Sequence, residues 1–99
     1  MSEQTIFKEK VDTKLQKPRM YRVILLNDDY TTMEFVVEVL VTVFHKQVPE
    51  ATKIMLDVHE KGKGIVGIYT YDIAATKIAQ AEEMARENEF PLKAIMEEV

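Results

Sequence analysis

The chain of 99 residues contains no cysteine and no tryptophan. Without thiols, it can form no disulfide, thiol nucleophile or cysteine-based metal site. Glycine and proline are scarce, three of each, and there is no low-complexity segment and no internal repeat. Basic charge is in deficit: 13 Lys and Arg stand against 17 Asp and Glu, a net charge of −4. That balance argues against nucleic acid or an anionic membrane as the main partner, because both reward basic surface. No apolar run approaches the roughly 20 residues needed to span a bilayer. The start, Met1-Ser2-Glu3-Gln4, is acidic with no long apolar block after it, unlike a signal peptide. A cytoplasmic protein is therefore expected. There is no Gly-rich phosphate loop, and no serine stands out beside a histidine and an acid. Only two histidines occur, His45 and His59, too few and too far apart for a convincing metal site. Neither a metal, a cofactor nor catalysis is expected.

What remains is ordinary for a globular protein: 46% hydrophobic and 30% charged residues. The length allows one domain. A folded part of about 80 residues buries only roughly 60% of its unfolded surface, so one modest core is the limit.

The most informative stretch runs from Tyr21 to His45. The apolar run Tyr21-Arg22-Val23-Ile24-Leu25-Leu26 meets the polar cluster Asn27-Asp28-Asp29-Tyr30-Thr31-Thr32, and a second apolar run starts at Met33. Asn, Asp and Thr favour turns and helix starts because their side chains bond to nearby backbone. Thr31 and Glu34 have the spacing of a capping box. The pattern predicts a strand over 19–26, a tight turn, and a helix over 33–44. Five valines in that helix favour strand on intrinsic grounds. Glu34, Glu38, Thr42 and His45, however, form one polar stripe at helical spacing, with His45 as a solvated end.

Before this stretch, residues 1–17 are polar and mixed in charge, and a flexible extension is expected there. After it, Val48 to Lys61 predicts a second helix. Pro49 lies in its first turn, Ala51, Ile54, Met55 and Val58 form an inward stripe, and Gly62 provides a stop. His59 falls at the edge of that stripe. Gly64 to Thr70 predicts a strand, with Gly67 marking a bulge or a close backbone approach. Thr70 precedes a third helix from Tyr71 to about Glu87, with Glu82 and Arg86 spaced as an ion pair. Pro91 to Glu98 predicts a last strand. The order β-α-α-β-α-β predicts a two-layer α+β domain over 18–99, with a three-stranded antiparallel sheet and three helices.

The polar turn and His59 share one chemistry. An amide oxygen, two carboxylates and a neutral imidazole are acceptors, suited to a donor-rich cation such as a primary ammonium. Met33, Val36, Met55 and Val58 could line an apolar cavity beside them, and methionine adapts to several shapes. An ammonium next to a large apolar side chain describes the free N-terminus of a peptide.

Two segments carry a specific resemblance. Asn27-Asp28-Asp29-Tyr30-Thr31-Thr32-Met33-Glu34-Phe35-Val36 and Met55-Leu56-x-Val58-His59-x-x-Gly62-Lys63-Gly64 resemble the ClpS family of N-end-rule adaptors of the ATP-dependent Clp protease. Thr76-Lys77 and Ala85-Arg86-Glu87-Asn88-Glu89-x-Pro91-Leu92 continue the likeness, which covers about Pro18 to the C-terminus. The departure is Thr32, where the family usually has proline; a looser helix start is expected from it.

The resemblance implies a monomeric adaptor, not an enzyme. It implies binding of N-degron proteins whose first residue is Phe, Tyr, Trp or Leu, and their delivery to the N-terminal domain of a ClpA-type AAA+ unfoldase. By motif, Asn27, Asp28, Asp29 and His59 would hold the α-amino group. Thr31, Met33, Val36, Met55, Val58 and Leu92 would shape the side-chain pocket, with Met33 as a gate against β-branched residues. Asp72 and Lys77 would contact the unfoldase, and the leader would serve in substrate hand-over. The alternative is a ribosome-associated or structural α+β domain that binds a partner without N-degron recognition.

Overall fold

A computed structural model describes residues 17–99. The extension expected over 1–17 therefore lies almost wholly outside the described residues. Strand β1 (Met20–Leu26) is followed by helices α1 (Met33–Thr42) and α2 (Val48–Lys61), strand β2 (Lys63–Thr70), helix α3 (Tyr71–Glu87) and strand β3 (Lys93–Glu98). The expected order is observed. The strands run β2-β1-β3 across the sheet, and β1 pairs antiparallel with both neighbours.

The pleat decides which face is covered. Val23 and Leu25 of β1, Val66 of β2 and Ala94 of β3 point to the helices and join one core with Phe35, Val39, Leu40, Ala51, Ile54 and Val58. Ala74, Ala81 and Ala85 of α3 are buried in that core, and their small side chains let the helix lie close to the sheet. On the opposite face, Ile24 is in register with Ile65 and Ile95. In this second layer of isoleucines Ile24 is buried, whereas Ile65 and Ile95 are exposed.

Glycines mark the tight places. The register of β1 and β2 slips between Val23 and Ile24, leaving Val66 as an extra residue, so the bulge expected near Gly67 is present. A Cβ on Gly67 would also stand 2.9 Å from the Tyr69 hydroxyl. A Cβ on Gly64 would come within 2.8 Å of Val58 and 2.9 Å of the Ile54 carbonyl, so α2 and β2 approach as closely as glycine permits.

Several expected details differ. Helix α1 ends at Thr42, two residues before Phe44, and His45 takes a left-handed backbone with φ 57°. Strand β3 begins at Lys93, after Pro91 and Leu92. Thr70 occupies the cap position of α3 but makes no side-chain cap bond. Arg86 pairs with Glu83, not Glu82, at 3.4 Å. The Glu82 carboxylate instead accepts the Ala94 N–H at 3.1 Å, tying α3 to the outer strand. A backbone donor on a sheet edge holds a carboxylate more firmly than an exposed guanidinium does.

Candidate functional site

The turn between β1 and α1 is built around Asp28. Its Oδ1 accepts the Tyr30 N–H at 2.8 Å and the Thr31 N–H at 2.7 Å, and its Oδ2 accepts the Thr31 hydroxyl at 2.6 Å. Partial burial pushes this carboxyl upward, but the three bonds from Thr31 and Tyr30 outweigh it. Its pKa lies below the ordinary carboxylate value. Asp28 is thus an anion at neutral pH, with three of its roughly four acceptor sites filled.

The expected capping box is not what forms. Thr31 donates to Asp28, and Thr32 is the N-cap: its hydroxyl oxygen accepts the Phe35 N–H at 3.1 Å. Asp28 engages the Thr31 backbone and hydroxyl together, which leaves its neighbour to cap. The helix start therefore gains a side-chain cap from the threonine expected to loosen it, a bond that proline could not make.

A second tether brings His59 to the turn. The Asn27 N–H donates to the Gly62 carbonyl at 3.0 Å. Gly62 closes α2 at φ 87°, and its N–H returns to the Val58 carbonyl at 3.0 Å. The end of β1 and the last turn of α2, which carries His59, are thereby held side by side.

Between them opens a cavity of about 490 Å³, within the size range of small-ligand sites. Asn27, Asp28, Asp29 and His59 line it, as do Thr31, Met33, Val36, Met55 and Val58. All four residues expected to face an ammonium and five of the six expected to face a side chain are thus gathered in one place. Leu92 is the exception: it is 2% exposed in the core and is not among the lining residues. Tyr30, Thr32 and Glu34 also line the cavity and escaped the sequence reading. Their one signal was membership of the same turn and first helical turn. Acceptors come from the turn and His59; apolar surface comes from the facing sides of α1 and α2. Among the described residues, no group of three or more His, Cys, Asp or Glu could hold a metal ion.

Asp72 and Lys77 lie elsewhere. They line a recess of about 360 Å³ with His45, Ile73, Thr76 and Gln80. Lys77 Nζ donates to the Val43 carbonyl at 2.9 Å, so α3 supplies a cation to the C-terminal end of α1, where helix carbonyls lack partners.

The family described as "ATP-dependent Clp protease adaptor protein ClpS" matches residues 16–95. The chain belongs to the ClpS family. Among curated ClpS relatives, the Acetivibrio thermocellus adapter is 67% identical over 97 residues, covering 98% of each chain. The Clostridium acetobutylicum adapter is 54% identical over 101 residues, covering 100% of each. Both carry the name "ATP-dependent Clp protease adapter protein ClpS". The solved structure of Agrobacterium tumefaciens ClpS2 bound to L-phenylalaninamide superposes with a TM-score of 0.81 at 38% identity, covering 84% of this chain and 100% of that one. ClpS proteins are adaptors, not enzymes, in keeping with the lack of a catalytic set in the sequence.

Proposed function

We propose that this ClpS chain captures proteins by a free N-terminal Phe, Tyr, Trp or Leu and delivers them to the N-terminal domain of a ClpA-type AAA+ unfoldase. The observation that carries the reading is the two-ended cavity, with anionic and imidazole acceptors against Met33, Val36, Met55 and Val58. L-Phenylalaninamide, the ligand of the Agrobacterium structure, has the same two ends: an ammonium and a benzyl group.

In this reading Asn27, Asp29, the remaining acceptor site of Asp28 and a ring nitrogen of His59 receive the ammonium N–H groups. Charge-assisted bonds of this kind contribute about 1.5–3 kcal/mol each at most, and burial of a Leu or Phe side chain about as much. After association costs, micromolar affinity is reasonable. Asp72 and Lys77 face the unfoldase, residues 18–99 form the adaptor domain, and the leader takes part in hand-over. Cytoplasmic location and a monomeric state belong to the same proposal.

The test is a titration with a Phe-first peptide and with the same peptide acetylated. Acetylation removes the charge and two donors, so binding should fall at least tenfold, roughly the loss of one charge-assisted bond. Equal binding of the two, or none, would favour the partner-binding domain without N-degron recognition.

A further inference from the structure

The face of the sheet turned away from the helices carries three rows of side chains. Alternation along β1 puts Arg22, Ile24 and Leu26 on it, and Ile24, though buried, is not part of the helix-side core. Directly paired residues of antiparallel strands share a face. Ile65 and Ile95 therefore flank Ile24, Ile68 and Glu97 flank Arg22, and Lys63 and Lys93 flank Leu26. Ile65, Ile68 and Ile95 are 55%, 51% and 41% exposed, so the middle of the face is open aliphatic surface. Lys63 and Lys93 are exposed as well, and neither forms an ion pair among the described residues. The surface is an aliphatic strip with two cations at the end where β1 finishes.

Its dimensions select what can cover it. Neighbouring strands lie about 4.8 Å apart, so three span roughly 10 Å, the width of one helix with its side chains. The seven residues of β1 run roughly 24 Å at about 3.4 Å each. The chain itself supplies a segment of that length. Residues 1–16 lie outside the described residues, and they lead into the sheet at Met20, the end opposite Lys63 and Lys93. They contain no glycine and no proline, and Glu3, Phe7, Val11 and Leu15 recur every four residues, the spacing of one side of an α-helix. A helix from Glu3 to Leu15 would measure roughly 20 Å at about 1.5 Å per residue. Pro18 disfavours helix at Lys17, which leaves Gln16 to Arg19 to make the turn.

We propose that residues 3–15 fold back along this open face as an amphipathic helix, with Leu15 over Arg22 and Ile68, Val11 over the isoleucine row, Phe7 over Leu26, and Glu3 between Lys63 and Lys93. Four helical residues rise about 6 Å and two strand residues about 6.8 Å, so the two ladders stay in step over three rows. The segment runs opposite to β1, which brings its one acid on the stripe to the basic end of the face. While docked, the leader hides the isoleucines and is withheld from partners, so this equilibrium sets how readily it serves in hand-over. The docking is independent of what the cavity binds.

The chain has no cysteine, so Ser2→Cys in the full-length protein takes a single nitroxide label, and paramagnetic broadening of amide resonances reads where the label sits. Lys63, Ile65, Lys93 and Ile95 should lose intensity, and lose more than Met20 and Thr70 at the leader's point of entry. Broadening strongest at Met20 and Thr70 and fading toward Lys63 would describe a leader that does not dock, and would overturn the proposal. Two variants test the contacts in the same labelled protein. Val11→Asp should lower the docked population about tenfold, as the loss of one buried valine requires. Glu3→Lys should restore intensity at Lys63 and Lys93 at low salt, and its difference from the parent should shrink as salt is added. Persistence of the full broadening in either variant would overturn the assigned contacts. A mixture of spin-labelled protein at natural isotope abundance with isotope-enriched protein lacking the label should show no broadening. Broadening there would make a second copy the occupant of the face and overturn the proposal.

Discussion

Asp28 illustrates how one side chain both shapes a loop and sets its charge. Because its three hydrogen bonds depress its pKa in the folded state, its ionised form stabilises the fold at any pH above the unfolded value of about 3.9. That contribution is lost as pH falls through the lower, folded value. Asp28→Asn should therefore be less stable than the parent in urea at neutral pH, with the gap closing as both are titrated below about pH 4. A constant gap down to pH 2 would show that shape, not charge, is what the turn needs. Two glycines give a contrasting pair. Gly62 has φ 87° and open space where a methyl group would stand, so Gly62→Ala should cost only the left-handed strain, about 1–2 kcal/mol. Gly64→Ala drives a methyl into the Ile54 carbonyl and Val58, and should cost more than Gly62→Ala in the same denaturation series. At this scale the sequence was partly legible. Gly62 as a stop followed from residue type and spacing. The grouping of His59 with Asn27, Asp28 and Asp29 was suggested by their shared acceptor chemistry and implied by the family resemblance, since His59 lies 32 positions beyond Asn27. The exchange of roles between Thr31 and Thr32 was not legible, because two adjacent threonines offer the same hydroxyl. The choice belongs to Asp28, whose carboxylate reaches one and not the other.

Helix α1 shows how an element of unfavourable composition is held. It is rich in β-branched valine, yet both ends are tied by side chains: Thr32 accepts the Phe35 N–H, and Lys77 of α3 donates to the Val43 carbonyl. Thr32→Ala should cost about 1 kcal/mol, a fall of roughly 4–8 °C in melting temperature for a domain of this size. Lys77→Met keeps most of the stem and removes the donor. It should cost about 1.5–3 kcal/mol, the worth of a hydrogen bond from a charged group, and unfolding by circular dichroism would read it. No change would mean that the amine and carbonyl meet without consequence in solution. The polar stripe together with the threonine-rich start identified α1 as a helix, although the cap falls on Thr32, and the apolar stripe between Pro49 and Gly62 identified α2. Lys77 could not be placed by sequence, since its acceptor lies 34 residues away. The core position of Leu92 was hidden for the same reason: proximity to a motif says which residues travel together, whereas burial depends on how β3 is docked.

At the scale of the molecule, α1 separates two surfaces. The candidate ligand cavity lies at its N-terminal end, and the recess with Asp72 and Lys77 lies at its C-terminal end. Ten residues at about 1.5 Å each put these ends roughly 15 Å apart. A short peptide can occupy the first while a folded domain covers the second. The proposed adaptor thus has room for both partners at once, as delivery requires. Asp72 is exposed and forms no ion pair among the described residues. Asp72→Lys should therefore reverse a surface charge at little cost to folding and weaken capture by the unfoldase N-terminal domain about tenfold or more, because it inverts the charge at the proposed contact. Affinity for a Phe-first peptide should stay within about twofold, since a charge roughly 15 Å away lies beyond the screening length of about 8 Å at physiological salt. Isothermal titration with each partner alone, then with one saturating, would read both effects. If saturating peptide drove off the N-terminal domain, the two surfaces would have to overlap, and simultaneous binding would be ruled out.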